Sequence, residues 1–228
     1  MNKLVHLRKS NAKPATTLRV AAPSRTNDPE RTKAGFLTVA KQEFGEKGLA
    51  GARIDAIADA TQTSKRMIYY YFGSKEGLYL ATLEESYRHI RNIEADLHLE
   101  GQEPVQALRT LVAYTYDHHH NNPQFVRMVM SENIHRAAYL AQSKVIHELN
   151  RTAISGLSEV YQRGVAQGVF RAGLDPLDIH ASISALTFFN VSNEHTFGLI
   201  FEVDNKSPAY QAQRRSNVVE TIVRFVSQ

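Results

Sequence analysis

The chain is predicted to be all-helical and in two parts: an N-terminal three-helix domain built on a helix-turn-helix, and a larger C-terminal helical domain. Three observations carry this. Apolar residues recur at spacings of three and four through each long segment, and no stretch shows the alternation of a half-buried strand. Proline and glycine gather at the junctions, at Gly101 and Pro104, Asn122-Pro123, Gly168 to Pro176 and Asp204 to Pro208. Between Arg53 and Gly77, two short apolar-faced segments flank a polar turn and lead into a run of tyrosines.

Taken in order, residues 1–27 hold six basic side chains (Lys3, Arg8, Lys9, Lys13, Arg19, Arg25), no acid and no sustained period. They read as a basic disordered arm, either one that lies along phosphates or a solvated tail. Asp28 and Pro29 suit the cap and first position of a helix running to Lys47, with Phe36, Ala40 and Phe44 on one face and Gly48 as its stop. Ile54, Ile57 and Ala58 form the apolar face of the next helix, which Thr61-Gln62-Thr63 interrupts. Ser64 can cap a second short helix, with Ile68 and Tyr71 inward and Lys65, Arg66 and Met67 outward. A helix-turn-helix lays that second helix in the DNA major groove. Domain bounds follow: 28–74 for the helix-turn-helix domain, and 75–228 for the helical domain behind it.

A long helix is predicted from Lys75, with a narrow seam of Leu80, Leu83, Tyr87, Ile90 and Leu97. Further helices are expected at about 103–120, 123–136, 141–167, 176–201 and 208–227. The last two carry apolar stripes, Ile179, Ile183 and Leu186, then Val218, Val219, Ile222, Val223 and Val226.

With 228 residues and 43% hydrophobic content, a sizeable core is available. No cysteine is present, which excludes disulfides and thiolate metal sites. No apolar run reaches the roughly 20 residues of a membrane span, and no secretory signal opens the chain, so a cytoplasmic protein is expected. The formal net charge is +4, yet the arm takes six of the 27 basic side chains. That leaves 21 against 23 acids, a net −2, for 28–228.

The order Ile57-Ala58, Ser64-Lys65, Tyr69-Tyr70-Tyr71-Phe72 and Lys75-Glu76-Gly77-Leu78 resembles the DNA-binding domain of the TetR family of bacterial transcriptional regulators, over roughly Arg31 to Leu83. Two departures stand out. The family's usual Ala-Gly-Val-Ser turn is here Thr61-Gln62-Thr63-Ser64, and Arg53 stands where the family often has a threonine that contacts the DNA backbone. The resemblance implies that Lys65, Arg66 and Met67 read bases. Arg66 suits a guanine edge and Met67 a thymine methyl. Tyr69, Tyr70, Tyr71 and Lys75 match phosphate-contacting positions, with hydroxyls from Thr63 and Ser64 in support. Tyr71 is the tyrosine expected to pack inward. The helix from Lys75 to Leu97 then links the DNA-binding and regulatory domains, and the last two helices form a four-helix bundle with a second copy.

Asp117-His118-His119-His120 is the one stretch suggesting metal. Three consecutive helical histidines point about 100° apart and none has a partner four residues away, so no metal site is expected. His118 shares a face with Tyr114 and suits the wall of a pocket. On the next helix, Phe125, Met128, Val129 and Glu132 share a face, with Asn133 at its edge. Glu132 either pairs with Arg136 or orients a ligand in a mostly apolar pocket. Phe188, Phe189 and Asn193 are the candidate opposite wall. This region, Glu132-Asn133-Ile134-His135 above all, is similar to the TetR-family subgroup that controls aromatic-carboxylate breakdown and includes the nicotinate-catabolism repressor.

The function expected is a dimeric, ligand-responsive repressor on a pseudo-palindromic operator, cytoplasmic and nucleoid-associated when DNA-bound, with no cofactor. The rivals are an activator or ligand-independent DNA-binding protein, and a metal-dependent helical enzyme. For the enzyme no nucleophile-base pair or ligand spacing is present.

Overall fold

The structure, a computed structural model, describes residues 28–228, so the basic arm lies outside the described residues. The described residues form helices α1 (Pro29–Gly51), α2 (Ile54–Ala60), α3 (Lys65–Phe72), α4 (Lys75–Ala95), α5 (Pro104–Asn121), α6 (Pro123–Ile134), α7 (Lys144–Ala166), α8 (Pro176–Ser192), α9 (Glu194–Ile200) and α10 (Pro208–Val226). Short 3-10 turns sit at Leu99–Gly101 and Leu140–Gln142. Among these residues no strand forms; one isolated bridge joins Phe170 to Ser227. No described helix is long and apolar enough to cross a membrane.

The predicted caps hold. Asp28 Oδ1 accepts from the amides of Glu30 and Arg31 at 3.1 and 3.2 Å. Ser64 Oγ accepts from Met67 N at 3.3 Å, and Ser74, a cap the sequence reading did not select, accepts through Oγ from Gly77 N at 3.0 Å. Each satisfies a donor that a helix start leaves open. Gly48, at φ 65° and ψ 173°, ends the regular part of α1 one residue after Lys47.

Two cores result. The first joins Phe36, Leu37, Ala40 and Phe44 of α1, Ile54, Ile57 and Ala58 of α2, Ile68 of α3, and Leu78, Tyr79 and Leu83 of α4. Met128 of α6 and Ile146 of α7 complete it, so helices beyond α4 reach into the core of the N-terminal domain. α1 and α6 also touch closely: a Cβ on Gly45 would sit 2.5 Å from Gln124 Cβ and 2.8 Å from its Cα. The second core draws on α5, α7, α8 and α10.

Three expectations need correction. The 176–201 helix is two helices: Asn193 bonds Ser192 Oγ at 2.8 Å through its side chain, and its carbonyl accepts from Phe197 N at 2.9 Å. A residue that satisfies backbone and neighbours in this way competes with helix continuation. α4 ends at Ala95 rather than Leu97, and His98 turns left-handed at φ 48°. The stripes Ile179, Ile183 and Val218 to Val226 are buried inside the protomer's own second core, with Leu186 packed against it. The outward apolar face of α8 is instead Leu177, Ala181, Ala185 and Phe189, continued by Leu199, Ile200 and Phe201 around α9.

Candidate nucleic-acid interface and effector site

The helix-turn-helix presents one charged and aromatic face. Ile68, fully buried, anchors α3 from beneath. Lys65 and Arg66 are exposed, Tyr69 is 43% and Tyr70 78% exposed, and Thr63 and Ser64 lie at the turn. Tyr71 packs inward, its ring 5.9 Å from that of Phe36. Met67 differs from its expected outward position: it is half-buried against the first core. Lys75 Nζ donates to Ala50 O at 3.3 Å, tying the start of α4 to the end of α1. Asp55 on α2 pairs with Lys65 and lies 4.0 Å from Arg53. Arg53 itself is exposed, while its amide donates to Glu43 Oε1 at 2.9 Å. In the turn, Gln62 takes φ 52°, the left-handed conformation that the missing glycine would adopt without strain.

The expected pocket residues separate into three places. Tyr114, His118, Phe125 and Phe188 converge with His119, which the sequence reading did not select. The His118 ring lies 5.9 Å from Tyr114, 5.7 Å from Phe125 and 6.0 Å from His119, and His119 meets Phe188 edge-on at 5.6 Å. His119 Nδ1 and Thr187 Oγ1 are 3.0 Å apart. His118 Nε2 is buried without a partner. Met128 belongs to the first core, and Val129 is half-buried beside it. Glu132 is buried but accepts from the amides of Tyr139 and Leu140 at 3.2 and 2.9 Å. It therefore caps the chain after α6 and does not pair with Arg136, which is exposed at φ 58°. Asn133 is exposed and donates to Val129 O at 3.0 Å. Phe189 and Asn193 line a separate cleft of about 310 Å³ with Phe197, Tyr210 and Arg214.

Burial governs the ionisation of the histidine cluster. It pushes His118 down to about 3, helped by the charges of His119, Lys41, His89 and Arg91. His119 is lowered to about 4 by burial, then by Arg91 and His180. His180 is lowered for the same first reason. All three imidazoles are thus neutral near pH 7, suited to hydrogen bonding rather than to charge. Among the described residues no cluster of three His, Asp or Glu side chains could hold a metal.

Sequence reasoning missed the most polar part of this interior. Arg91 and Glu94 of α4 pair in the protein interior, and Arg91 Nη2 donates to Asn150 Oδ1 of α7 at 3.0 Å. With Leu111, Thr115, Ala153, Leu157, His180 and Ile183 they enclose a chamber of about 20 Å³. The readable signal was a gap: Leu80, Leu83, Tyr87 and Ile90 step toward Leu97 through position 94, where the seam holds a glutamate.

Comparison with known proteins agrees with this architecture. Residues 36–82 match the family described as bacterial regulatory proteins, tetR family, and residues 104–222 match the tetracyclin repressor-like C-terminal domain. The HTH-type transcriptional repressor NicS of Pseudomonas putida is 35% identical over 180 residues, 79% of this chain and 85% of that protein. The HTH-type transcriptional repressor SCO4008 of Streptomyces coelicolor is 29% identical, over 60% and 69% of the two chains. Among solved structures, the putative transcriptional regulator SCO4942 of Streptomyces coelicolor shares the fold at a TM-score of 0.63 and 24% identity, over 86% and 98% of the chains.

Proposed function

The chain belongs to the TetR family of bacterial regulatory proteins, and we propose that it is a homodimeric repressor released from its operator by a small aromatic carboxylate. The observation that carries the reading is the exposed face of α3. Lys65, Arg66, Tyr69 and Tyr70 stand clear of the core while Ile68 fixes the helix beneath them. In this reading Arg66 reads a base edge, Lys65 is held toward the groove by Asp55, and Tyr69, Tyr70, Thr63, Ser64, Arg53 and Lys75 face phosphates. Met67 contributes its half-buried side chain as a spacer beneath Arg66. Residues 28–74 act as the reading head and 75–228 as the regulatory and dimerising part.

The dimer forms through the outer face of α8 and the α9 turn, where Leu177, Phe189, Leu199, Ile200 and Phe201 are exposed. Burying such a patch against its symmetry mate is favourable and would set two heads on the half-sites of one operator. The effector enters among Tyr114, His118, His119, Phe125 and Phe188, a mostly aromatic wall with neutral polar groups. It acts by binding the non-DNA-binding conformation more tightly, with α4 as the coupling element. The likeness to a protein named a repressor, over most of both chains, supports the direction of control. The proposed setting is the bacterial cytoplasm, on DNA when active.

Operator selection from random duplex DNA tests this reading. Recovery of a palindromic site bound at about 10⁻⁸–10⁻¹¹ M near physiological salt is expected. Binding without sequence preference, with only a steep salt slope, would overturn it.

A further inference from the structure

Arg91 and Glu94 sit on the inner side of the last turns of α4, with side chains 11% and 13% exposed. Glu94 engages Nη1 of the guanidinium alone, and Nη2 is taken by Asn150. Nε is buried without a partner. A guanidinium matches a carboxylate best through two parallel donors, so this one is only half used by its internal partner. Three residues apart on one helix, Arg91 and Glu94 are also held in a geometry that the backbone, not the pair, decides. The surrounding imidazoles are neutral, which leaves Arg91 the cation of this chamber.

We propose that Glu94 is the built-in occupant of a carboxylate subsite on Arg91, and that the effector's carboxylate displaces it. The inference rests on the reading above that this chain answers to a small acid. The arriving carboxylate takes the Nη1 donor that Glu94 vacates, while its ring turns toward His119, Phe125 and Phe188. The unpartnered Nε2 of His118 supplies one hydrogen bond to a polar ring atom or substituent. No bond to carbon forms or breaks; one carboxylate is exchanged for another.

The size of the chamber makes exchange and motion one event. About 20 Å³ holds a single water and no aromatic ring. Entry therefore requires Glu94 and the last turn of α4, which ends one residue later at Ala95, to move aside. The same helix carries Leu78, Tyr79 and Leu83 in the core of the reading head. Displacing its far end is thus felt where the two heads are spaced.

Calorimetric titration of the full chain with benzoate, pyridine-3-carboxylate and phenylacetate, against neutral benzamide, tests the subsite. At least one acid should bind the wild type and benzamide should not. Glu94→Gln should tighten that acid tenfold or more, and Arg91→Gln should weaken it at least tenfold. The double variant R91Q/E94Q, a neutral pair of similar shape, should keep the helicity and cooperative unfolding of the wild type and bind none of the acids. Equal binding of acid and amide, acid binding indifferent to Arg91→Gln, or no acid bound by either wild type or Glu94→Gln overturns the proposal. Operator anisotropy run in parallel separates the two readings. Acid bound through Arg91 with no effect on operator leaves the subsite standing and sinks the release mechanism. Operator release by a neutral molecule, unaffected by Arg91→Gln, does the reverse.

Discussion

The two cores of this protein handle polarity in opposite ways. Around α1–α4, the interior is apolar and aromatic, with Phe44 and Tyr79 edge-to-face at 5.1 Å and Ile57, Ile68, Leu78 and Leu83 fully buried. Its buried carboxylate, Glu43, is matched by Lys47 Nζ at 2.8 Å and by the Arg53 amide. Its functional charges face outward. In the regulatory part, Arg91, Glu94, His118, His119, Thr115 and Thr187 lie inside, and two of their polar atoms have no partner. A DNA-binding head needs a rigid platform beneath an exposed face, whereas the effector site proposed above needs donors kept dry. Unmatched polar atoms inside a protein cost stability, which is tolerable where a ligand can satisfy them.

The largest test of that contrast is to break the inner pair. Arg91→Met leaves Glu94 buried and unpaired, and should cost about 3–5 kcal/mol in urea unfolding at neutral pH. Adding Glu94→Leu should recover much of it; a double variant no more stable than the single one would mean the pair is not truly sequestered.

Acid should separate the cores next. His118 and His119 bind protons at about 3 and about 4 when folded but near 6.5 when unfolded, so the unfolded chain takes up protons first as pH falls. Their neutral forms impose no penalty above pH 6.5; below it, stability falls until the folded values are reached. On the order of 1–3 kcal/mol should be lost between pH 6.5 and 5. His118→Phe should flatten that slope, and an unchanged slope in the variant would remove His118 from the account.

On the reading head the effects are on binding rather than stability. Arg66→Ala should lose about 1–3 kcal/mol of operator discrimination at a single base position. Tyr70→Phe should weaken all sequences alike by a smaller amount. Uniform loss from Arg66→Ala would make it a phosphate contact instead.

The smallest effect concerns the turn. Gln62 holds φ 52°, a conformation that costs a residue with a Cβ about 1–2 kcal/mol. Gln62→Gly should stabilise the chain by about 0.5–1 kcal/mol after its greater unfolded-state freedom is counted. A destabilised variant would show that the Gln62 side chain contributes more than its backbone conformation costs.

How much was legible follows the same division. Ser64, Ile68 and the tyrosine run announced the reading helix because each role there is local: a cap, an anchor, a set of exposed groups at fixed spacing. Met67 was misjudged because a short helix has a wide margin between its inner and outer faces, and the first core claims it. In the regulatory part, Glu132 suited either an ion pair with Arg136 or a ligand, and its carboxylate accepts from Tyr139 and Leu140, seven and eight residues on, rather than pairing with Arg136. The stripes on α8 and α10 looked like a dimer face because periodicity marks an apolar side without naming what covers it; the protomer's own α5 and α7 do.

From the sequence by itself came the all-helical class, most of the helix starts and the position of the helix-turn-helix, since capping, proline placement and 3.6-residue periodicity act within a few residues of chain. Only the tertiary structure decided that Met128 and Ile146 join the reading head's core, that Asn150 meets Arg91, and that His119 and Phe188 share a wall. Those juxtapositions join helices far apart in the chain, and they depend on which face each helix turns inward when the whole interior is filled at once.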